Sequence, residues 1–442
     1  MQKFYLKILQ YKLKQIAMLL IWRFNPKIIA ITGSAGKTSA KDAIYAVLKN
    51  QHRVRKSKGN LNNELGLPLT IIKDWPEEEL KLVSRAEPAG KKLFQKLFFW
   101  IKALFKGMAN FLFLDKNRYP EILILEYGAD HPGDIKYLSE IAEPKIGIIT
   151  TIGEVPVHVE FFSGPKAVAK EKGKLLESLP ANGFAIMNFD NPIVMELKEK
   201  TRAKIITFGF SEGADVKISG FENHSKFDRP LGIYEKYFGV SFKIEYGGSF
   251  VPVTLKNTFG RAQAYSAAVA ACVGLTFDLN LVEIAEALLN NYKPAKRRMN
   301  LIKGINGSYI IDDSYNASPI SVREALNTLS DVKAKRKIAV LGDMFELGEY
   351  STEEHKFIGQ MAGGIVDYLI TVGPQAKLIA ESAQTAKLGN EQKLIFESFN
   401  NVEPVISALK NLIKEGDLVL IKASRGVGLD RIVEEIKEAP IV

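Results

Sequence analysis

The residues best equipped for chemistry begin with Gly33, Ser34, Ala35, Gly36, Lys37, Thr38 and Ser39, which follow the apolar run Ile28-Ile29-Ala30-Ile31 and lead into a helix-favouring segment. A loop built this way turns backbone N–H groups inward around phosphate oxygens. Lys37 adds a positive point charge, and the Thr38 hydroxyl can hold a magnesium ion. The spacing, G-x-x-G-K-T, is about two residues shorter than the general phosphate-loop pattern. Taken alone it can be a glycine turn with an exposed lysine; the strand before it and the helix after it favour a phosphate-binding loop.

Further groups cluster where strands should end. Glu121-Ile122-Leu123-Ile124-Leu125 is a short apolar strand of the buried, parallel-sheet kind, and it runs into Glu126-Tyr127-Gly128-Ala129-Asp130. Ligands of open α/β sheets sit at the carboxyl ends of strands, so Glu126 lies where a carboxylate can hold magnesium beside nucleotide phosphates. The strand Ile146–Thr151 leads to Gly153 and then His158. A core or surface histidine is the usual case, but a place after another strand end favours a ligand role. Asn60, Asn62, Asn63 and Glu64 crowd the stretch 59–68, which reads either as a turn with a helix cap or as a grip on a polar substrate. Lys170, Lys172 and Lys174 on a helix at 164–179 are most simply a solvated face.

The elements that must position these groups follow from the patterning. A chain of 442 residues, 46% hydrophobic, has enough apolar material for two or three domains. Residues 27–292 read as an α/β domain with a mostly parallel sheet around the phosphate loop, closing on a helical pair at about 261–275 and 280–291. Lys293-Pro294-Ala295-Lys296-Arg297-Arg298 marks a linker, taken as 293–299. From 300 to 442 strands and helices alternate again, which predicts a second, Rossmann-like α/β domain. Its strand ends carry Asp312-Asp313-Ser314-Tyr315-Asn316, Gly342-Asp343-Met344 and Lys422-Ala423-Ser424-Arg425. Polar residues gathered there mark a site facing the first domain. Cys272 is the only cysteine, which excludes an internal disulfide and a zinc site built on cysteine pairs.

The net charge is +10, concentrated in two hydrophobic segments. Residues 1–30 hold Lys3, Lys7, Lys12, Lys14, Arg23 and Lys27 against no acid, and 85–118 hold eight bases against Glu87 and Asp115. This is a poor match to a nucleic-acid surface, so no nucleic-acid partner is expected. The longest uncharged apolar run near the start, Ile16 to Trp22, is too short to span a bilayer. Residues 1–26 therefore read as a basic hydrophobic segment, partly amphipathic. Within 85–118 a helix would gather Lys91, Lys92, Lys96, Lys102 and Lys106 on one side and Leu93, Leu97, Phe98, Trp100, Ile101, Leu104 and Phe105 on the other, with Phe99 the exception. Such a helix suits the boundary layer of an anionic membrane, or docks on the domain or a second subunit.

In their order along the chain, ITGSAGKT at 31–38, GNLNNELGLP at 59–68, EYGADHPGDI at 126–135, the His158 region, DDSYNASP at 312–319, GDMFELG at 342–348 and KASR at 422–425 resemble the Mur ligases. The likeness is closest to the type that adds D-alanyl-D-alanine to the peptide of the cell-wall precursor. It implies a cytoplasmic enzyme that uses ATP and Mg2+ to turn a carboxylate of a UDP-muramoyl-peptide into an acyl phosphate, which the amine of D-alanyl-D-alanine attacks. It further implies that Lys37 neutralises the β/γ-phosphates, that Thr38 and Glu126 bind a first magnesium, and that His158 binds a second. Lys172 matches a position carbamylated in several members, where the carbamate supplies oxygen to the metal site. Arg298, Asp313, Tyr315 and Asn316 would close over the nucleotide, while the 59–68 run and Ser424-Arg425 would contact peptide and incoming amine.

Four departures modify this expectation. About 26 residues precede the first strand, where members usually carry a domain gripping the uridine diphosphate. The 85–118 segment is longer than the usual connection and, with residues 1–24, can place the enzyme at the inner face of the membrane. Gly260-Arg261-Ala262-Gln263-Ala264-Tyr265-Ser266 replaces a pattern holding His and two Asn, so adenine contacts should differ. Arg297 stands where the family tends to have Gly, and Ser318 where it often has Asn. Two other readings stay open: a Mur-like ligase adding a different amino acid or dipeptide to another, lipid-linked precursor, and a nucleotide-binding partner without ligase activity. The second predicts loss of phosphate or metal residues, yet Lys37, Thr38, Glu126 and His158 are all present.

Overall fold

The computed structural model describes residues 2–59, 61–83, 93–224, 239–386 and 395–438. Its first sheet has nine strands: β1 (Lys27–Thr32), β2 (Val54–Lys56), β3 (Ile122–Glu126), β4 (Ile146–Ile149), β5 (Phe184–Asn188), β6 (Lys204–Gly209), β7 (Val216–His224), β8 (Gly239–Tyr246) and β9 (Ser249–Lys256). They lie in the order β2-β3-β1-β4-β5-β6-β7-β8-β9, parallel as far as β7 and antiparallel through β8 and β9. The second sheet holds β10 (Asn300–Lys303), β11 (Tyr309–Asp312), β12 (Arg336–Gly342), β13 (Tyr368–Val372), β14 (Ile395–Phe399) and β15 (Asp417–Lys422). Their order is β10-β11-β15-β12-β13-β14, with only the β10–β11 pair antiparallel.

The patterning explains this division. β1 and β3 are nearly continuous Ile, Leu and Ala, and helices cover them on both faces, as central parallel strands require. Ile29 and Ile31 point to one side, where they meet the helices Lys37–Leu48 and Arg261–Leu275 through Ala40, Ile44, Ala267 and Ala271. Ile28 and Ala30 point to the other and meet Leu13, Leu20, Leu67 and Ile71. β8 and β9 instead alternate buried and exposed positions, so one face of that meander is wet.

That second layer changes the reading of the two basic segments. The helix Gln2–Phe24 buries Leu13, Ile16, Ala17, Leu20 and Phe24 and lies against the helices Gly66–Ile72 and Leu93–Phe113. In Leu93–Phe113 the docking face is Phe99, Ala103, Gly107 and Asn110. A Cβ on Gly107 would fall 2.5 Å from Ile16 Cγ2, so the two helices close where only glycine fits, and Asn110 Nδ2 donates to the Ile72 carbonyl at 2.8 Å. Phe99, the exception on the wheel, is therefore the anchor. Phe98, Ile101 and Phe105 face outward, while Trp100 and Leu104 are half-buried. Lys102 pairs with Glu79 at 2.8 Å, and Lys91 and Lys92 lie outside the described residues. Among the described residues no helix is long and apolar enough to cross a membrane.

Candidate active site

The carboxyl ends of both sheets look into one cleft of about 1210 Å³. Its walls include Ser34 to Ser39, Glu126 and His158 from the first sheet's side, and Asp313, Tyr315, Asn316, Ser424 and Arg425 from the second. Arg298 enters from the segment between the sheets, and Asn62, Asn63 and Glu64 line the same cavity.

The loop after β1 is shaped by its glycines. Gly33 has φ 147°, and a Cβ there would stand 2.1 Å from Thr150 Oγ1, so the chain approaches β4 as closely as it does only without a side chain. Ser34 N–H donates to the Thr151 carbonyl at 2.6 Å, and Thr150 Oγ1 donates to the Ala35 carbonyl at 2.6 Å. Gly36, with φ 84°, then turns the chain into the helix Lys37–Leu48, whose start has no side-chain cap. The uncapped N–H groups and the helix dipole face the cleft, which makes an anion site. Lys37 Nζ curls back to the Gly33 carbonyl at 2.6 Å. Burial lowers its pKa below the ordinary lysine value, and Arg298 adds to this while Glu126 and Asp130 oppose it.

Glu126 ends β3 only 3% exposed, and Lys41, 2% exposed, reaches it from the helix after the loop with Nζ 2.6 Å from Oε1. Burial by itself would raise the Glu126 carboxyl; Lys41, then Lys37 and Arg298, more than offset it and hold the group below its ordinary value. Glu126 thus remains an anion in a buried place. His158 has a left-handed backbone, φ 69°, and joins the two walls: its Nδ1 is 2.7 Å from Glu346 Oε2 of the second sheet's side, and its Nε2 is 3.4 Å from Asp130 Oδ1.

The opposite wall is held by Lys422, buried at the end of β15, which pairs with Asp313 Oδ2 and donates to the Asn316 carbonyl at 2.9 Å. Asp313 Oδ1 accepts from Met299 N–H at 3.2 Å, so this carboxylate ties the linker to the second sheet. The Arg298 guanidinium lies 4.2 Å from the Tyr315 ring centre, and Arg425 covers the same ring at 5.7 Å. Arg297 has φ 63°, which accounts for the glycine expected at that position.

Placement differs from expectation at several residues. Lys172 does not line the cleft; it is buried on the helix Pro165–Glu177, and burial, reinforced by Lys37, lowers its pKa to about 7 against the pull of Asp130, Glu171 and Asp134. The solvated-face reading of Lys172 is therefore wrong, because this turn of the helix faces the interior. Asn63 Oδ1 accepts from the N–H groups of Leu65 and Gly66, and Glu64 accepts from Gln10 at 3.0 Å. Asn63 thus caps the helix Gly66–Ile72, and Glu64 ties this stretch to the helix Gln2–Phe24, while both residues still line the cleft. Asn60 lies outside the described residues. Ser424, buried, accepts from Phe345 N–H at 2.8 Å, which leaves Arg425 as the exposed member of that pair.

Sequence reasoning passed over Lys41, and it gave no role to Glu346 within GDMFELG or to Lys422 within KASR. Lys41 stands one helical turn beyond Lys37, on the same face, and that spacing was a usable signal. For Glu346 the motif marked the loop but not the partner, since it meets His158 only through the tertiary fold.

The donor set can be matched to a cation. Among the described residues no three of His, Cys, Asp or Glu are grouped as a metal site. One buried, ionised carboxylate and the Thr38 hydroxyl beside a phosphate loop fit Mg2+, which binds through one or two carboxylates and takes its other oxygens from phosphates and water.

Comparison with known proteins follows the same division. Residues 31–83 and 107–274 match the Mur ligase middle domain, and 297–425 match the Mur ligase, glutamate ligase domain. UDP-N-acetylmuramoyl-tripeptide--D-alanyl-D-alanine ligase of Bacillus subtilis is 29% identical over 436 residues, covering 97% of this chain and 80% of its own. The MurF ligase of Thermotoga maritima, solved with ADP, superposes with a TM-score of 0.74 at 26% identity, covering 96% of this chain and 83% of its own. MurF from Acinetobacter baumannii gives the same score at 24% identity, covering 96% and 80%.

Proposed function

The chain belongs to the Mur ligase family, and on that premise we propose that it is an ATP-dependent amide ligase joining D-alanyl-D-alanine to UDP-N-acetylmuramoyl-tripeptide. The observation that carries this reading is the convergence of Lys37, Glu126, His158, Arg298 and Asn316 on one cleft at the carboxyl ends of the two sheets; in this reading the sheets belong to two α/β domains, 27–292 and 300–442, joined by the linker 293–299. Relatives named for this activity match nearly the whole chain.

In this mechanism the tripeptide carboxylate attacks the γ-phosphorus of ATP, the β–γ bridge breaks and ADP leaves. The dipeptide amine then attacks the acyl carbon, inorganic phosphate departs, and the amine gives up its proton. Bringing a carboxylate to a triphosphate needs several negative charges cancelled. The N–H groups of the loop and the Lys37 ammonium hold the phosphates, Lys37 exchanging its Gly33 carbonyl for a phosphate oxygen. When bound, Mg2+ supplies further charge neutralisation at the phosphate oxygens. Thr38 and Glu126 would hold one such ion and His158 a second; Lys172, behind the cleft wall yet near enough to feel Lys37 and Asp130, would contribute as its carbamate. Lys41 keeps Glu126 ionised.

Arg298, stacked on Tyr315, reaches the nucleotide from the linker, and Asn316 faces it from the second sheet. The adenine pocket differs from the family pattern, with Gln263 and Tyr265 in the replaced stretch and Asp190 accepting from the Tyr265 hydroxyl at 2.7 Å. Asn62, Asn63, Glu64, Ser424 and Arg425, all on the cleft wall, are the substrate contacts in this reading. The reading puts the enzyme in the cytoplasm, where ATP is found, and in peripheral contact with the inner face of the membrane.

The test is mass spectrometry of a reaction containing purified protein, ATP, Mg2+, UDP-N-acetylmuramoyl-tripeptide and D-alanyl-D-alanine. A new species at the mass of the pentapeptide product, absent when either substrate is omitted, supports the proposal; unchanged tripeptide with intact ATP overturns it.

A further inference from the structure

Two neighbouring helices of this protein are apolar on the side turned away from its core. On Leu93–Phe113 the positions Leu97, Phe98, Ile101, Phe105 and Leu112 fall within one arc and are all exposed, Phe98 at 68% and Phe105 at 75%. The face that docks is the narrower one, built on Phe99, Ala103 and Gly107. On Gln2–Phe24 a second stripe, Tyr11, Met18 and Trp22, lies opposite the buried Leu13, Ala17 and Leu20, and Trp22 is 77% exposed. Ordinary surface helices place charge on that side. The helices touch each other and rest on the same core layer, so the stripes lie side by side on one surface.

Charge selects the occupant. Neither helix contains an Asp or Glu. Lys7 and Lys12 are exposed and flank the stripe of the first helix on its two sides, and Lys102, paired with Glu79, and Lys106 follow one edge of that of the second. A broad apolar stripe with aromatic residues, on two helices that carry lysine and no carboxylate of their own, matches the boundary between acyl chains and anionic headgroups; the acids beside it, Glu79 and Glu140, belong to neighbouring helices and pair with Lys102 and Lys14.

We propose that the paired outer faces of Gln2–Phe24 and Leu93–Phe113 form a docking surface for an anionic lipid bilayer, on which both helices lie flat. Because Leu6 and Trp100, one from each helix, line an end of the active cleft, docking sets that end of the cleft beside the lipid surface. The proposal is independent of the ligase reading, since it concerns only these two faces.

Flotation of the full chain with vesicles of phosphatidylglycerol and phosphatidylethanolamine, compared with vesicles of phosphatidylcholine, tests it. The protein should float with the anionic vesicles at low salt and lose on the order of tenfold in binding for the K7E/K12E variant. The F98E/F105E variant, altered only at exposed positions, should keep its melting temperature and lose binding. Failure to bind anionic vesicles, or equal binding to phosphatidylcholine, overturns the proposal. So does a concentration-dependent dimer in sedimentation that F98E/F105E dissolves, because the faces would then belong to a second copy.

Discussion

Lys41 Nζ stands 2.6 Å from Glu126 Oε1 with both side chains almost wholly out of solvent. The pair couples the helix that follows the phosphate loop to the end of β3, and it keeps a buried carboxylate charged where a cation must be attracted. Replacing Lys41 by Met leaves that carboxylate unpaired, which costs about 3–5 kcal/mol in urea unfolding. The double variant Lys41→Met with Glu126→Gln should recover most of the loss, since no buried charge then remains. The pH dependence has a definite sign. A carboxyl held below its ordinary 4.5 contributes stability that is present in full above that value and lost as pH falls through the folded pKa. In the Lys41→Met protein this acid limb moves to higher pH.

Lys37 is expected to matter for chemistry and little for folding. Lys37→Met removes the ammonium that meets the triphosphate, and within the protein that ammonium donates to the Gly33 carbonyl of its own loop. Phosphate release should fall by about 10²–10³, with urea unfolding shifted by less than about 1 kcal/mol. A variant that unfolds in proportion to its lost activity would assign the lysine a structural role.

Lys172 should make activity depend on carbon dioxide. With a pKa of about 7, the buried amine is mostly protonated at pH 6 and mostly neutral at pH 8. Only the neutral form adds CO2. Turnover at pH 8 in CO2-depleted buffer should therefore drop several-fold and return with bicarbonate, and Lys172→Arg should be slow and indifferent to bicarbonate. Equal turnover in both buffers would remove the carbamate from the account.

His355 gives the loop at 342–348 an acid-sensitive anchor. Its Nε2 accepts from Met344 N–H at 3.0 Å and its Nδ1 lies 2.7 Å from the Ser351 carbonyl, an arrangement that needs the neutral ring. Burial lowers its pKa, against the pull of Ser351 and Asp343. Below the ordinary 6.5 the unfolded chain takes up a proton that the native ring resists, so stability should decline as pH falls from there toward the folded pKa. Urea midpoints of the native chain should fall between pH 7 and 5, and those of His355→Gln should fall less.

The central strands and the phosphate loop were legible because their signals are local: runs such as Ile28–Ile31 are apolar without interruption, Gly33 stands where a side chain would strike Thr150, and Gly36 takes a left-handed turn that favours glycine. The helices Arg261–Leu275 and Leu281–Asn291 begin and end within a residue of where the sequence reading placed them. β10, β14 and the helix Lys377–Ala386 escaped notice. β10 and β14 are edge strands with partly exposed side chains, so neither an apolar run nor strict alternation announces them. Phe99 was misjudged for a different reason. When a helix is apolar on nearly every side, periodicity cannot tell which face docks, and Gly107 against Ile16 decided it. In the cleft, Glu126 was readable from its strand end, whereas Glu346 meets His158 only once two distant loops are folded together.

The account rests on a carboxylate that is phosphorylated before an amine captures it. Tripeptide substrate labelled with ¹⁸O in its terminal carboxylate, turned over with ATP and D-alanyl-D-alanine, tests this step directly. One labelled oxygen should pass into the released inorganic phosphate. Unlabelled phosphate, with all of the label kept in the peptide or lost to water, would contradict it.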